Sequence, residues 1–262
     1  MTGGQSPMSS TVPLNYAIDG SGPHVVLMPA VGLDLTFLEP LASELARDFT
    51  VLRVDARGHG KSPTEPPAQS LDDYAEDIHA LLRRLDFAPA AIVGFSFGGM
   101  LAQTLALRHP EDVSALVPCA CPCTLSEEKR AISAARGTDA LSDGMESILD
   151  VTMERWFNDD FRLAGGDQPS RKRLLSNDIR GWATAWSAMA RIDTLPHLGT
   201  IKAPTLCVAG ELDKSSGPPI VKQIAEAIPG ARYTVLPRGP HMLFIEQPRE
   251  VATLIADFLR GL

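Results

Sequence analysis

A mostly parallel β-sheet flanked by helices, with a helical segment inserted late in the chain, is the α/β architecture this sequence predicts, on three observations. Short apolar runs, each ending in turn-forming residues, alternate with helix-length stretches, the pattern of strands buried on both faces and joined by crossover helices. One such run, Ala90 to Val93, passes through Gly94-Phe95-Ser96-Phe97-Gly98 directly into the apolar helical run Met100 to Leu107. The alternation then halts at Pro118 and resumes only at Ala203-Pro204. At 262 residues, with 44% hydrophobic and 21% charged residues, the chain suits one domain with an insertion.

Taken in order, residues 1–10 hold Thr2-Gly3-Gly4-Gln5 and read as a disordered leader, either native or the remnant of an expression tag. Val12 to Ile18 alternates weakly and runs into Asp19-Gly20-Ser21-Gly22-Pro23, which suggests an opening hairpin. His24 to Met28 is a buried strand delivering the loop Pro29-Ala30-Val31-Gly32, and Leu35 to Ala46 has helical character. Thr50 to Val54 is the next strand. From Leu71, apolar residues at 71, 74, 75, 78, 81, 82 and 85 follow the helical period, behind an acidic first turn of Asp72 and Asp73. The helix after Ser96 ends near His109-Pro110, and Val113 to Val117 is a further strand.

Residues 124–195 form a helical lid between core segments 11–123 and 196–262. They hold all three tryptophans, Trp156, Trp182 and Trp186, with turns expected at Gly137, Gly144 and Gly165-Gly166. Beyond the lid come a strand over Thr205 to Ala209, a helix over Pro219 to Ile228, a strand over Arg232 to Leu236 and a closing helix over Pro248 to Leu259.

A strand that turns at once into a helix forces its corner residue into a strained conformation, and residues two before and two after must be small. Gly94 and Gly98 meet that demand around Ser96. The hydroxyl is thereby held beside the unpaired N–H groups of a helix start, where developing negative charge is favoured. A Gly-rich turn with a bystander serine is the competing reading. Serine is a weak nucleophile and needs a histidine base oriented by a carboxylate. Asp213 lies four residues after one late strand and His241 five after the last, both where loops emerge from the sheet.

With these residues in place, the chain resembles the α/β-hydrolase superfamily from Leu14 to Leu259. Asp55 to Ser62 has its D-x-R-G-x-G-x-S loop, Ala209 to Asp213 its acid loop, and His241 to Pro248 its H-x-x-x-x-E-x-P ending. The resemblance implies Ser96 as nucleophile, His241 as base and Asp213 as orienting acid, with Glu211 the alternative acid. It also implies an oxyanion hole from the backbone N–H groups of Val31 and Phe97. Two positions depart from the pattern: Pro29-Ala30 replaces the frequent His-Gly, and Pro240 stands where glycine is common before the histidine. His59 reads as structural, His109 as a helix cap, and His24, His79 and His197 lie in no carboxylate pattern that suggests a ligand.

Within the superfamily the chain is most similar to the 3-oxoadipate enol-lactonase group. The similarity is carried by Val51 to Gly60, by Gly98 to Gln103 with Arg108-His109-Pro110-Glu111, and by Glu154-Arg155-Trp156-Phe157 in the lid. That group implies opening of a small carboxylated enol-lactone without a cofactor. Arg155 is then the candidate for an anionic substrate; Phe95 and Phe97 suggest an apolar acyl or ring group, and Trp156, Trp182 and Trp186 are either lid core or pocket wall. The lid carries 10 Lys or Arg and 12 Asp or Glu, a balance that does not select an anion. Two other readings use the same residues: different triad chemistry, such as C–C hydrolysis, perhydrolysis or acyl transfer, and a non-catalytic binding protein.

A formal net charge of −8 argues against nucleic acid or an anionic membrane surface as partner and favours a small-molecule ester or lactone. No apolar run approaches the roughly 20 residues of a membrane span, so the chain reads as soluble and cytoplasmic; a homo-oligomer is left open. Cys119, Cys121 and Cys123 form a C-x-C-x-C run without a second ligand cluster. They read as reduced thiols, and neither a metal nor a cofactor is expected.

Overall fold

The computed structural model describes residues 11–262, and the expected leader lies outside them. Among the described residues, seven strands form one sheet: β1 (Tyr16–Gly20), β2 (His24–Met28), β3 (Thr50–Val54), β4 (Ala90–Phe95), β5 (Val113–Cys119), β6 (Leu206–Gly210) and β7 (Arg232–Leu236). Their order is β1-β3-β2-β4-β5-β6-β7, with only β1 antiparallel to its neighbour. Strands β4 and β6 are buried along their whole length, and β2 along all but its first residue, as continuous apolar runs require.

The expected opening hairpin does not form. Strand β1 pairs with β3, Ala17 opposite Arg53, because both edges of β2 are already occupied by β3 and β4. The turn formers make a crossing instead: a side chain at Gly20, φ 76°, would strike Phe49 O at 2.3 Å. β1 therefore closes one edge of the sheet with an alternating, half-exposed pattern.

The helices of the first half are α1 (Glu39–Leu45), α2 (Leu71–Arg84) and α3 (Phe97–Arg108). A capping box of Ser70 and Asp73 starts α2, and Arg83 and Arg84 complement its carboxyl end. Helix α3 is buried from Phe97 to Ala106, so its sequence is apolar all round rather than amphipathic. His109 takes the C-cap position of α3, as expected, and its ring meets that of His79. Their rings stack at 3.7 Å, with His79 Nδ1 2.6 Å from Asp112 and His109 Nε2 2.9 Å from Glu76. These carboxylates lie 33 residues away in sequence, beyond any local pattern.

Between β5 and β6 run α4 (Glu127–Asp143), α5 (Leu149–Trp156), α6 (Asp159–Leu163), α7 (Gln168–Leu175) and α8 (Ile179–Met189). The ends of this inserted segment meet where Thr124 bridges Asp193, with a 2.9 Å hydrogen bond from Thr124 Oγ1 to the carboxylate. Gly137 lies inside α4 and makes no turn; a side chain there would come within 2.9 Å of Ala183 O, so glycine lets α4 and α8 pack closely. The chain closes with α9 (Pro218–Ala227), α10 (Leu243–Glu246) and α11 (Pro248–Arg260). No helix among the described residues is long and apolar enough to cross a membrane.

All four cysteines are buried and free, and burial pushes their thiols up: Cys119 and Cys121 well above the ordinary value, Cys123 to about 11 and Cys207 to about 12. Because the thiolate is the reactive form, iodoacetamide at about pH 8 should leave all four unmodified in the folded protein and alkylate all four after unfolding. Rapid alkylation of the native chain, read by intact mass, would show the strand ends to be open.

Candidate active site

The strand order reverses between β2 and β4, so the loops leaving their carboxyl ends part there and open a crevice. Ser96 occupies the corner between β4 and α3 with φ 54° and ψ −111°, a conformation L-residues rarely adopt. The corner closes only because its neighbours lack side chains. A Cβ on Gly94 would lie 2.0 Å from Gly98 O, and one on Gly98 2.3 Å from Met28 O. The Gly98 N–H donates to Pro29 O at 3.1 Å, tying the corner to the loop that carries Val31. Neither Val31 N–H nor Phe97 N–H donates to another group among the described residues. The departure at Pro29-Ala30 is thus accommodated: Pro29 serves as an acceptor, which needs no N–H.

The structure brings Ser96, His241 and Asp213 together from positions 145 and 28 residues apart. His241 Nε2 lies 2.9 Å from Ser96 Oγ, and Nδ1 2.9 Å from Asp213 Oδ2. The other carboxylate oxygen, Oδ1, accepts from the N–H groups of Ser215 at 2.6 Å and Ser216 at 2.9 Å. Burial raises the Asp213 pKa, but the positive charge and hydrogen bond of His241 and the two backbone donors outweigh it and hold the carboxyl below its ordinary value. An ionised Asp213 accepts the Nδ1 proton, which leaves Nε2 free to accept the Ser96 hydroxyl proton. Glu211, the alternative acid, points elsewhere and accepts from the Arg238 N–H at 2.7 Å.

Asp213 and His241 are held in mutual register by backbone contact. The Leu212 N–H donates to Gly239 O at 2.8 Å, and Gly210 packs so closely that a Cβ would lie 2.5 Å from Gly239 O and Pro240 O. Pro240 thus sits in a corner that the missing side chain of Gly210 makes possible. The inserted segment docks on the same loop: the Met242 N–H donates to Trp156 O at 3.0 Å, and the Asn158 N–H to Glu246 at 2.8 Å.

A cavity of about 220 Å³ opens onto Ser96 and His241. Val31, Arg155, Trp156 and Trp186 line it, and the two tryptophans are also buried. Phe95, expected beside an apolar group of the substrate, and Trp182, read as either lid core or pocket wall, both lie outside the cavity lining. Phe95 is fully buried in the core against Phe244, 4.5 Å between ring centroids. Trp182 is fully buried beneath α4 and donates its indole N–H to Arg136 O at 3.1 Å, outside the cavity wall. The Phe97 ring likewise faces the core, between Tyr74 edge-on at 5.1 Å and His59 at 5.4 Å, so it fixes the corner rather than the pocket. His59 is structural as expected, its Nδ1 3.0 Å from Arg57 O and burial lowering its pKa.

Two cations in the wall escaped the sequence reading, Arg136 and Lys129 on α4. No local motif marks either; they reach the cavity because α4 packs beside Ser96 and His241 at the carboxyl end of the sheet.

The family described as "Alpha/beta hydrolase family" matches residues 25–254. 3-Oxoadipate enol-lactonase 2 of Acinetobacter baylyi is 28% identical over 245 residues, covering 91% of this chain and 90% of that protein. The solved enol-lactonase of Burkholderia xenovorans is 29% identical with a TM-score of 0.90, covering 96% of this chain and 99% of its own. A thermophilic esterase from Thermogutta terrifontis, solved with malate bound, is 25% identical with a TM-score of 0.90 and 97% of each chain covered. A family match spanning most of the chain, on a seven-stranded mostly parallel sheet of the same architecture, makes this protein a member of the α/β-hydrolase family.

Proposed function

We propose that this protein is a serine hydrolase that opens a small lactone or carboxylic ester through an acyl-enzyme on Ser96. The observation that carries the reading is the unbroken chain from Ser96 through His241 to Asp213, set on a strained corner that faces a closed-in cavity. In this reading Ser96 Oγ attacks the substrate carbonyl carbon while His241 Nε2 takes the hydroxyl proton. The carbonyl π electrons move onto oxygen, where the Val31 and Phe97 N–H groups stabilise the charge. Collapse breaks the bond to the alkoxy oxygen, which receives the proton from His241. Water activated by the same histidine then cleaves the acyl-enzyme, releasing the acid and restoring Ser96. No metal or cofactor takes part.

The inserted segment, residues 124–195, serves as the lid, and Arg155, Trp156 and Trp186 contact the substrate. A cavity of about 220 Å³ lies below the roughly 300–1,000 Å³ of sites for drug-sized ligands, which supports a small substrate. The similarity to enol-lactonases from two organisms makes an enol-lactone of the 3-oxoadipate type the first compound to assay. The protein works in this reading on dissolved small molecules in the cytoplasm.

Turnover of a panel of lactones and p-nitrophenyl esters tests the proposal. Ser96→Ala or His241→Ala should lower kcat by about 10⁴ to 10⁶. Folded wild-type protein inactive on the whole panel, or a loss below about tenfold in either variant, contradicts the assignment.

Asp213 adds a pH test. A carboxyl held below its unfolded value contributes stability that is present above the unfolded value, about 3.9, and is lost as pH falls through the folded one. Wild type should therefore be more stable than Asp213→Asn at neutral pH, with the gap closing below about pH 4. A gap in Tm that is constant from pH 7 to 3 would contradict an ionised, paired Asp213.

A further inference from the structure

The cavity over Ser96 is positively charged although the protein as a whole is acidic. Arg136, Arg155 and Lys129 line it, and no Asp or Glu among the described residues does. Arg155 is half-buried, and its only side-chain hydrogen bond among the described residues is a long one, 3.4 Å, to Ser215 Oγ. Arg136 is half-buried too and forms no ion pair among the described residues. Asp139 and Asp143, farther along α4, line an adjoining outer cleft with both arginines but pair with neither. Burial first, and the neighbouring charge of Arg155 second, push Arg136 down to about 10.

A half-buried guanidinium beside a second one, neither paired with a carboxylate among the described residues, is costly unless an anion offsets the charge. Arg136 is nonetheless held in place, its guanidinium carbon 4.9 Å from the centre of the Trp186 ring. The Trp186 indole N–H is buried in the same wall and has no hydrogen-bond partner among the described residues. An unsatisfied buried donor beside unpaired cations is the arrangement an anion would complete.

The geometry points to Arg136, with Arg155 and the Trp186 N–H, as a receptor for a carboxylate carried by the substrate at a distance from its scissile ester or lactone bond. The inference rests on the reading of Ser96 as the nucleophile in the same cavity. A guanidinium lying against an indole ring keeps its N–H edge free, and that edge matches the two oxygens of a carboxylate. The whole-lid balance of charges hid this selectivity, because the acidic residues of the lid lie outside the cavity.

Monomethyl succinate, glutarate and adipate, each against its neutral dimethyl ester, test the receptor in two ways. In Ser96→Ala protein, titration followed by tryptophan fluorescence should show at least one monoester binding tenfold or more tightly than its dimethyl partner. Adding Arg136→Met should reduce that preference to about threefold or less, and Arg136→Lys should restore part of it. In the wild type the same preference should appear in kcat/KM and fall at least tenfold in Arg136→Met. Arg155→Met serves as a second variant if Arg136→Met does not fold. Preferential monoester binding without turnover of any ester sustains the receptor and sinks the nucleophile reading. Turnover of both ester types with no preference at any length, or a preference untouched by either arginine variant, overturns the receptor.

Discussion

Everything in the site hangs on a backbone corner too tight for side chains. Ser96 is forced to a positive φ because it alone separates the end of β4 from the start of α3, and the corner closes only where Gly94 and Gly98 leave room for backbone oxygen atoms. The same closure brings Pro29 O onto the Gly98 N–H, so one local constraint positions both the hydroxyl and the loop of Val31. The surrounding core holds the strain in place: Phe97 is clamped by Tyr74 and His59, and Phe95 by Phe244. Aromatic residues flanking the serine thus act as wedges under the corner.

The second constraint is the fit between the last two strand loops. Gly210 against Gly239 and Pro240, and Leu212 against Gly239, align the carboxylate with the imidazole without help from the inserted segment. That segment is nevertheless coupled to the histidine, because Met242, next to His241, is hydrogen-bonded to Trp156 O. A shift of α5 would therefore be felt at His241 as well as at the cavity wall. This ties what the cavity binds to how the imidazole is aimed.

Most of the fold was legible in the sequence because its signals are local. Strand β7 falls at Arg232 to Leu236 as its apolar run indicates, α2 announces itself by its period and acidic first turn, and Ser96, Asp213 and His241 each sit in a short pattern at a strand end. What the sequence hid depends on distant partners. β1 reads as half of a hairpin until β2 is seen to have both edges filled. Gly137 reads as a turn until Ala183 is packed against it. Trp182 and Phe95 could be assigned to core or pocket only by the direction each side chain takes, and Arg136 has meaning only beside Trp186 and Arg155. Net charge was a poor guide for the same reason: a chain of formal charge −8 surrounds its serine with cations.

The most direct measurement of the central claim is covalent labelling of the folded protein with a fluorophosphonate, followed by intact mass and peptide mapping. An activated serine displaces fluoride and keeps the phosphonyl group, so the account predicts one adduct per chain, on Ser96, and none in Ser96→Ala. No adduct on folded wild-type protein, or an adduct that persists in Ser96→Ala, would contradict it.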